Sequence, residues 1–368
     1  MPCYQPLWAI PDINPRTGKP YLTKNGKTKY HIFGSEKPLL DDPHLITIPC
    51  GKCIGCRLEY SRQWANRCLL EMKEHDSAYF VTLTYNDWHV PISHYIDQTT
   101  GEFCDAQTLR KRDYQLFMKR LRFAFPDQQI RFYAAGEYGP KTYRPHYHAI
   151  LFGLKLDDLE PYGMSDQNYP YYWSKSLQKV WDEGENLQNL YEKVEKKPLQ
   201  VYQNVLQYIQ GCKESITPLT SRGFVLVADV SWETCAYVAR YVTKKLTGEV
   251  ASFYKEHNIE PPFSLMSRKP GIGRGYYDSN LDSLYDYDYI NVSTRQGGVK
   301  FRPPRYFNRL LETDNPELSE KLREARKNLA KEISRCKLSQ TDKRYMNMLD
   351  TEEEVKQEAV KTLRRSKL

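Results

Sequence analysis

Apolar positions along the chain recur with two periods, and each predicts a different element. Residues 57–75 (RLEYSRQWANRCLLEMKEH) carry Leu58, Trp64, Cys68, Leu69 and Met72 at helical spacing. AYFVTLTY (78–85) is a β-branched and aromatic run and predicts a strand. Residues 107–125 return to the helical period, with Leu109, Leu116, Phe117, Leu121 and Phe125 on one side and basic residues on the other. Pro126-Asp127 ends that helix. IRFYAAGEYG (130–139), the turn GPKTYRP and HYHAILFG (146–153) then predict a β-hairpin. FVLVADV (224–230) predicts a further strand, and SWETCAYVARYVTKKL (231–246) a helix with Ser231 as its N-cap.

The intervening stretches are less periodic. Residues 1–49 are rich in Pro, Gly, Lys and Asp and predict an irregular arm with short strands. Residues 154–222 are polar and tyrosine-rich, an insertion or lid with helices near 174–182 and 200–210. Residues 251–312 are loop-rich, and from Pro316 onward the chain predicts a highly charged helical tail. Strands adjacent by hairpin with helices interspersed argue an α+β fold, a central antiparallel sheet flanked by helices. The expected organisation is an N-terminal arm with a cysteine cluster (1–70), a core (71–250), a basic and aromatic extension (251–312) and the tail (313–368).

Composition adds a partner class. The net charge is +8, from 54 Lys+Arg against 46 Asp+Glu, and 29 tyrosines raise the aromatic share to 13%. Rings and cations interleave in YLTKNGKTKY, RGYYD and KFRPPRYFNRL. Rings that stack on unpaired bases beside cations that track phosphates suit single-stranded nucleic acid; the alternative is that the tyrosines fill the edges of a β-rich core. No apolar run approaches the roughly 18 residues needed to span a membrane. The N-terminus shows no signal-peptide pattern, so a cytoplasmic site is expected. Nine cysteines, an odd number, argue against a disulfide framework. Cys50-X2-Cys53-X2-Cys56 with Cys68 offers enough thiolates for zinc; the alternative is four reduced, buried cysteines.

Three groups of residues carry candidate chemistry. His146 and His148 flank Tyr147 on a strand, so their imidazoles face the same way. Such a pair alone is often incidental, but the hairpin returns Glu137 beside His146. A carboxylate with two imidazoles, leaving positions open, is a candidate site for Mg²⁺ or Mn²⁺. On the helix 231–246, Tyr237, Tyr241 and Lys244 share one stripe, opposite an apolar stripe of Trp232, Cys235, Ala239, Val242 and Leu246. The tyrosines either pack a second layer or face a site. A tyrosine hydroxyl is a poor nucleophile at neutral pH unless a metal polarises the phosphate and a nearby cation stabilises the charge that develops. The third group is SRKPGIGRGYY (267–277), which lacks the GxxxxGK[ST] phosphate-loop pattern. It is either a basic glycine loop with Arg268, Lys269 and Arg274 toward phosphates, or a plain turn. Arg302 and Arg305 in KFRPPRYFNRL are further candidate DNA contacts.

With these segments together, the chain resembles the replication initiators of small single-stranded DNA phages of the gokushovirus type, within the His-hydrophobic-His rolling-circle endonucleases. FVTLTY (80–85), RPHYHAILFG (144–153) and AYVARYVTKK (236–245) occur in the order of that family's three motifs. PCGKCIGCRLEYSRQWANRC (49–68) and SRKPGIGRGYY also resemble family segments, and the likeness spans roughly residues 45–310. The resemblance implies the His-hydrophobic-His endonuclease fold. It implies His146 and His148 as metal ligands, with Glu137 a third, and Tyr237 and Tyr241 as nucleophiles. The implied reaction is origin-specific nicking and strand transfer through a 5′-phosphotyrosine link and a free 3′-hydroxyl. No helicase motif occurs, so a host helicase and polymerase are expected partners in the bacterial cytoplasm. The alternative from another class is a non-catalytic, zinc-containing nucleic-acid-binding protein. The two differ in whether the tyrosines and His146 converge.

Overall fold

The computed structural model describes residues 3–23, 28–33, 44–165, 169–182, 221–242, 249–294 and 297–362. The chain divides into two compact units, one of Met1–Tyr60 with Leu311–Arg365, the other built chiefly of Ser61–Leu310.

In the first unit, β1 (Leu7–Pro11) pairs antiparallel with both β2 (Tyr30–Ile32) and β3 (Ile46–Ile48). The helix α1 (Ile54–Met72) begins here and continues into the second unit. The expected helical tail is present as two long helices, Pro316–Leu338 and Tyr345–Thr362. The first of these opens on Pro316, with Asn315 as its cap accepting from the Leu318 N–H at 3.0 Å, and it buries no residue.

The second unit is organised on a seven-stranded sheet, antiparallel throughout, which establishes the expected α+β class. Its strands are β4 (Ala78–Leu83), β7 (Arg131–Tyr138), β8 (Pro145–Phe152), β9 (Leu159–Met164), β10 (Pro170–Ser174), β11 (Val225–Asp229) and β12 (Phe263–Met266), in the order β12-β7-β8-β4-β11-β10-β9. Two small hairpins stand apart from it: β5 (Ile92–Ile96) with β6 (Phe103–Gln107), and β13 (Ile290–Thr294) with β14 (Gly297–Phe301). The remaining helices are α2 (Lys111–Ala124), α3 (Lys175–Asp182), α4 (Trp232–Val242), α5 (Glu249–Glu256), α6 (Arg274–Leu284) and α7 (Arg305–Asp314); the two tail helices are α8 and α9.

Each face of the sheet carries its own core. Val81, Leu83, Ala149, Leu151, Val225 and Val227 point to one side, where Tyr114, Phe117 and Leu121 of α2 and Leu177 and Trp181 of α3 cover them. Phe80, Tyr133, Ala135, Ile150 and Phe152 point to the other, where they meet Ala65 and Cys68 of α1 and Cys235, Val238 and Ala239 of α4. Burying the strands on both faces requires the dense apolar composition that made β4, β7, β8 and β11 readable.

Within residues 154–222 the helix expected near 174–182 forms as α3, and β9 and β10, not expected there, extend the main sheet; the helix expected near 200–210 lies outside the described residues. Residues 251–312, expected to be loop-rich, hold α5, α6, α7, β12 and the β13–β14 hairpin. β12 is only four residues long, and it joins the sheet because Gly136 on β7 leaves room for Phe263. A Cβ at Gly136 would stand 2.8 Å from that ring.

Candidate functional site

The hairpin register sets the site. In β7–β8, Glu137 pairs directly with His146 and Ala135 with His148, while on the other side of β8, Thr82 of β4 pairs with His148. Alternation along the strands then sends Glu137, His146, His148, Thr82 and Phe80 to the face covered by α4, and Tyr147 to the opposite core.

Glu137 Oε1 lies 2.9 Å from Nε2 of His146 and 2.9 Å from Nε2 of His148. The outer ring nitrogens are held from behind. Nδ1 of His148 meets the Thr82 hydroxyl at 2.9 Å, and Nδ1 of His146 meets the Arg144 carbonyl at 3.1 Å. Phe80 stacks on the His148 ring at 5.4 Å. Burial pushes the Glu137 carboxyl up, but the hydrogen bonds and charge of the two histidines outweigh it and hold the group at about 2. Burial also drives the His148 imidazole down, toward its neutral form, against the pull of Glu137.

The helix α4 brings Tyr237 to this trio. Ser231 caps the helix, its hydroxyl accepting from the Thr234 N–H at 3.2 Å while Thr234 Oγ1 accepts from the Ser231 N–H at 2.8 Å. Cys235, Val238 and Ala239 are buried against the sheet, and the Trp232 indole donates to Asn66 Oδ1 at 3.2 Å. With that side fixed, the Tyr237 hydroxyl donates to Glu137 Oε1 at 3.3 Å and stands 3.5 Å from His148 Nε2. Its ring meets His148 edge-on, with centroids 5.0 Å apart.

The donor set fits a divalent ion. The three ligand atoms all lie within 4.8 Å of one another. A hard cation with ligands at about 2.1 Å separates neighbouring ligand atoms by about 3 Å, and the carboxylate stands at that spacing from both imidazoles. His146 Nδ1 donates to the Arg144 carbonyl, which leaves Nε2, the nitrogen that faces the carboxylate, as the atom available to a metal.

A family model described as Replication-associated protein ORF2/G2P matches residues 78–246, the span from β4 through the helix that carries Tyr237. The Replication-associated protein ORF2 of Spiroplasma virus 4 is 29% identical over 326 residues, 87% of this chain and 85% of that relative. The Replication-associated protein VP4 of Bdellovibrio phage phiMH2K is 24% identical over 294 residues, 78% and 74% of the two chains. Over most of its length the chain is similar to the replication-associated proteins of microviruses. A third relative, Replication-associated protein ORF4 of Chlamydia phage 1, is 26% identical over 72% of this chain and 53% of its own length. No solved structure matches. Among the described residues, no helix is long and apolar enough to cross a membrane.

Other candidates in this chain fall elsewhere. Tyr241 lies on the same helix as Tyr237, one turn on, but its side chain is outside the described residues, as is the whole of Lys244. In the loop 267–277, Arg268 and Lys269 are exposed, and Arg274 is paired with Asp278 at 2.7 Å. The glycines of that loop serve packing and the turn. Gly271 fits under the Tyr306 hydroxyl, Gly273 takes φ +80, and its N–H donates to the buried Glu71 carboxylate at 2.6 Å. Arg302 is exposed and lies over the Tyr289 ring at 5.7 Å, and Arg305 is exposed at the start of α7.

The expected cysteine set is corrected at one position. Among the described residues, the four thiols that converge are Cys3, Cys50, Cys53 and Cys56. Cys68 is buried in the apolar core with Ala65 and Cys235. Cys56 and Cys68 share one helix, and twelve residues at 1.5 Å each separate them by about 18 Å, too far to hold one ion. Sequence reasoning also missed Thr82 as the partner of His148. The signal was present: Phe80 and Thr82 alternate onto the histidine face of the motif FVTLTY.

Proposed function

We infer that this chain nicks single-stranded DNA at the origin and transfers the strand, initiating rolling-circle replication in the host cytoplasm. The observation that supports it most is the convergence of a tyrosine hydroxyl on a Glu-His-His trio: Tyr237 is 3.3 Å from Glu137 Oε1 and 3.5 Å from His148 Nε2. Glu137, His146 and His148 would hold Mg²⁺ or Mn²⁺, which when bound supplies charge neutralisation at the scissile phosphate. The Tyr237 oxygen attacks phosphorus, and the bond to the 3′-oxygen breaks. The phenolic proton is lost, the leaving oxygen gains one, and the products are a 5′-phosphotyrosine and a free 3′-hydroxyl. The bond energy is retained, so a later 3′-hydroxyl can reverse the step and join strands.

In this reading Tyr241 is the second nucleophile, which attacks the regenerated junction while Tyr237 holds the first 5′ end, and Lys244 stabilises the phenolate. Arg268, Lys269, Arg274, Arg302 and Arg305 bind the DNA backbone. The exposed Tyr287, with Tyr289 under Lys300 at 4.5 Å, offers rings for unpaired bases beside those cations. A host helicase opens the duplex and a host polymerase extends the 3′-hydroxyl.

The test is cleavage of a labelled single-stranded origin oligonucleotide with Mn²⁺ or Mg²⁺, resolved on a denaturing protein gel. Wild type is compared with Tyr237→Phe, Tyr241→Phe, the double variant and His146→Ala. A metal-dependent covalent band is expected, lost in the double variant and in His146→Ala. Adducts that persist in the double variant refute the nucleophiles. Binding to the true origin with no adduct under any metal replaces this reading with a non-catalytic binding protein.

A further inference from the structure

Four free thiols meet within the unit of Met1–Tyr60 and Leu311–Arg365. Cys3 precedes β1, Cys50 and Cys53 follow β3, and Cys56 lies in the first turn of α1. Their Sγ atoms all lie within 4.8 Å of one another, and those of Cys3 and Cys53 are 3.8 Å apart. Zn–S bonds of about 2.3 Å arranged as a tetrahedron separate the sulfurs by about 3.8 Å.

Backbone N–H groups point at these sulfurs in series. Cys50 N–H donates to Cys3 Sγ at 3.2 Å, Cys53 N–H to Cys50 Sγ at 3.3 Å, and Cys56 N–H to Cys53 Sγ at 3.4 Å. Such bonds favour the thiolate, the form that binds metal. Core filling does not account for the cluster. Cys3, Cys50 and Cys56 are only half-buried, whereas Cys68 and Cys235, which do fill the core, are fully buried.

We propose that Cys3, Cys50, Cys53 and Cys56 bind one structural Zn²⁺. Four thiolates leave no open position, so the ion is a clamp with no part in the chemistry at the Glu-His-His trio. It ties the N-terminal segment to the first turn of α1, a corner that α9 also reaches. Glu353 of α9 accepts from Gln5 Nε2 at 2.8 Å and from the Ile54 N–H at 3.4 Å. Four thiolates and one Zn²⁺ carry two net negative charges, and Lys52 and Arg57 line the hollow beside Cys53 together with Glu353. This proposal is independent of the nickase reading.

The full-length chain is assayed for zinc by mass spectrometry, then exchanged with Co²⁺ and scanned for the thiolate-to-cobalt charge-transfer band that an oxygen and imidazole site does not produce. About one zinc per chain is expected, with the band unchanged in His146→Ala. Cys3→Ser loses zinc and band, while a folded Cys68→Ala chain keeps both. Cys3→His retains the metal with a weakened band, separating ligand loss from misfolding. The proposal is overturned if wild type holds no thiolate-bound metal, or if its metal is iron with labile sulfide. It is equally overturned if the band survives Cys3→Ser or disappears from folded Cys68→Ala.

Discussion

Replacing Thr82 by valine removes one hydroxyl and leaves the β-branched shape that suits the strand. The pairing of Thr82 with His148 across β4–β8 is a backbone register and does not depend on that hydroxyl. The hydroxyl stands 2.9 Å from Nδ1 of a ring whose side chain is 3% exposed, so solvent does not replace it. A buried nitrogen stripped of its partner costs about 1–3 kcal/mol of stability. If Nε2 of the same ring ligates a metal, the loss also frees the imidazole to turn. Partners of this kind are worth about 10–100-fold in metal affinity, or about 1.4–2.7 kcal/mol.

The expected outcome for Thr82→Val is therefore specific. Mn²⁺ affinity, from a calorimetric titration, falls about 10–100-fold. Covalent adduct formation falls with it at limiting Mn²⁺ and recovers at saturating Mn²⁺, because the nucleophile and remaining ligands are untouched. A folded variant that binds Mn²⁺ as tightly as wild type refutes the orienting role of Thr82. A loss of adduct that no concentration of Mn²⁺ restores refutes it as well.

Gly136→Ala brings a Cβ to 2.8 Å from the Phe263 ring; overpacking of this kind costs about 1–3 kcal/mol, read as a lower urea midpoint. Tyr147→Phe removes a fully buried hydroxyl that lies 2.8 Å from the Arg110 carbonyl and 2.7 Å from the Tyr85 hydroxyl. It should cost about 1–3 kcal/mol with Mn²⁺ affinity unchanged, since Tyr147 faces away from the trio. Glu137 sits at about 2 against an ordinary 4.5, so its contribution to stability is present above pH 4.5 and is lost as pH falls through about 2. That limb, about 3 kcal/mol, should be missing from Glu137→Gln when urea unfolding is followed against pH without divalent metal; an equal acid limb in both proteins refutes it.

How far the sequence could be read depended on how far apart in the chain the partners lie. His146 and His148 share a face because strands alternate, and a short turn returns Glu137 beside them. Tyr237 could be assigned to a stripe of its helix, but that the stripe meets the histidines depends on α4 crossing this face of the sheet, which no local pattern encodes. Thr82 was hidden for the same reason, since it is 66 residues from His148. Cys3 is 47 residues from Cys50 and belongs to no repeat, so only folding identifies it as the fourth thiol. Cys68 is a different case. A helix was already expected through it, and helical rise alone excludes it from a site containing Cys56. The strands β9, β10 and β12 are short and carry Pro, Gly or Ser, so their pairing, not their composition, makes them strands.

The site divides its parts between two kinds of support. β7, β8 and β4, which carry Glu137, the histidines and Thr82, each have a paired strand on both sides. Tyr237 sits on an eleven-residue helix held by a Ser-Thr cap and a few buried side chains. A reaction that cuts, keeps one end and then transfers it needs its ligands fixed through both steps, while the nucleophile must move with the strand it holds. A doubly paired strand opens only with the sheet, whereas a short helix can open by itself at lower cost. Native-state hydrogen exchange should therefore show greater protection at amides 134–136 and 147–149 than at 236–239. Equal protection across the two would mean that helix and sheet open together, and that the nucleophile has no freedom of its own.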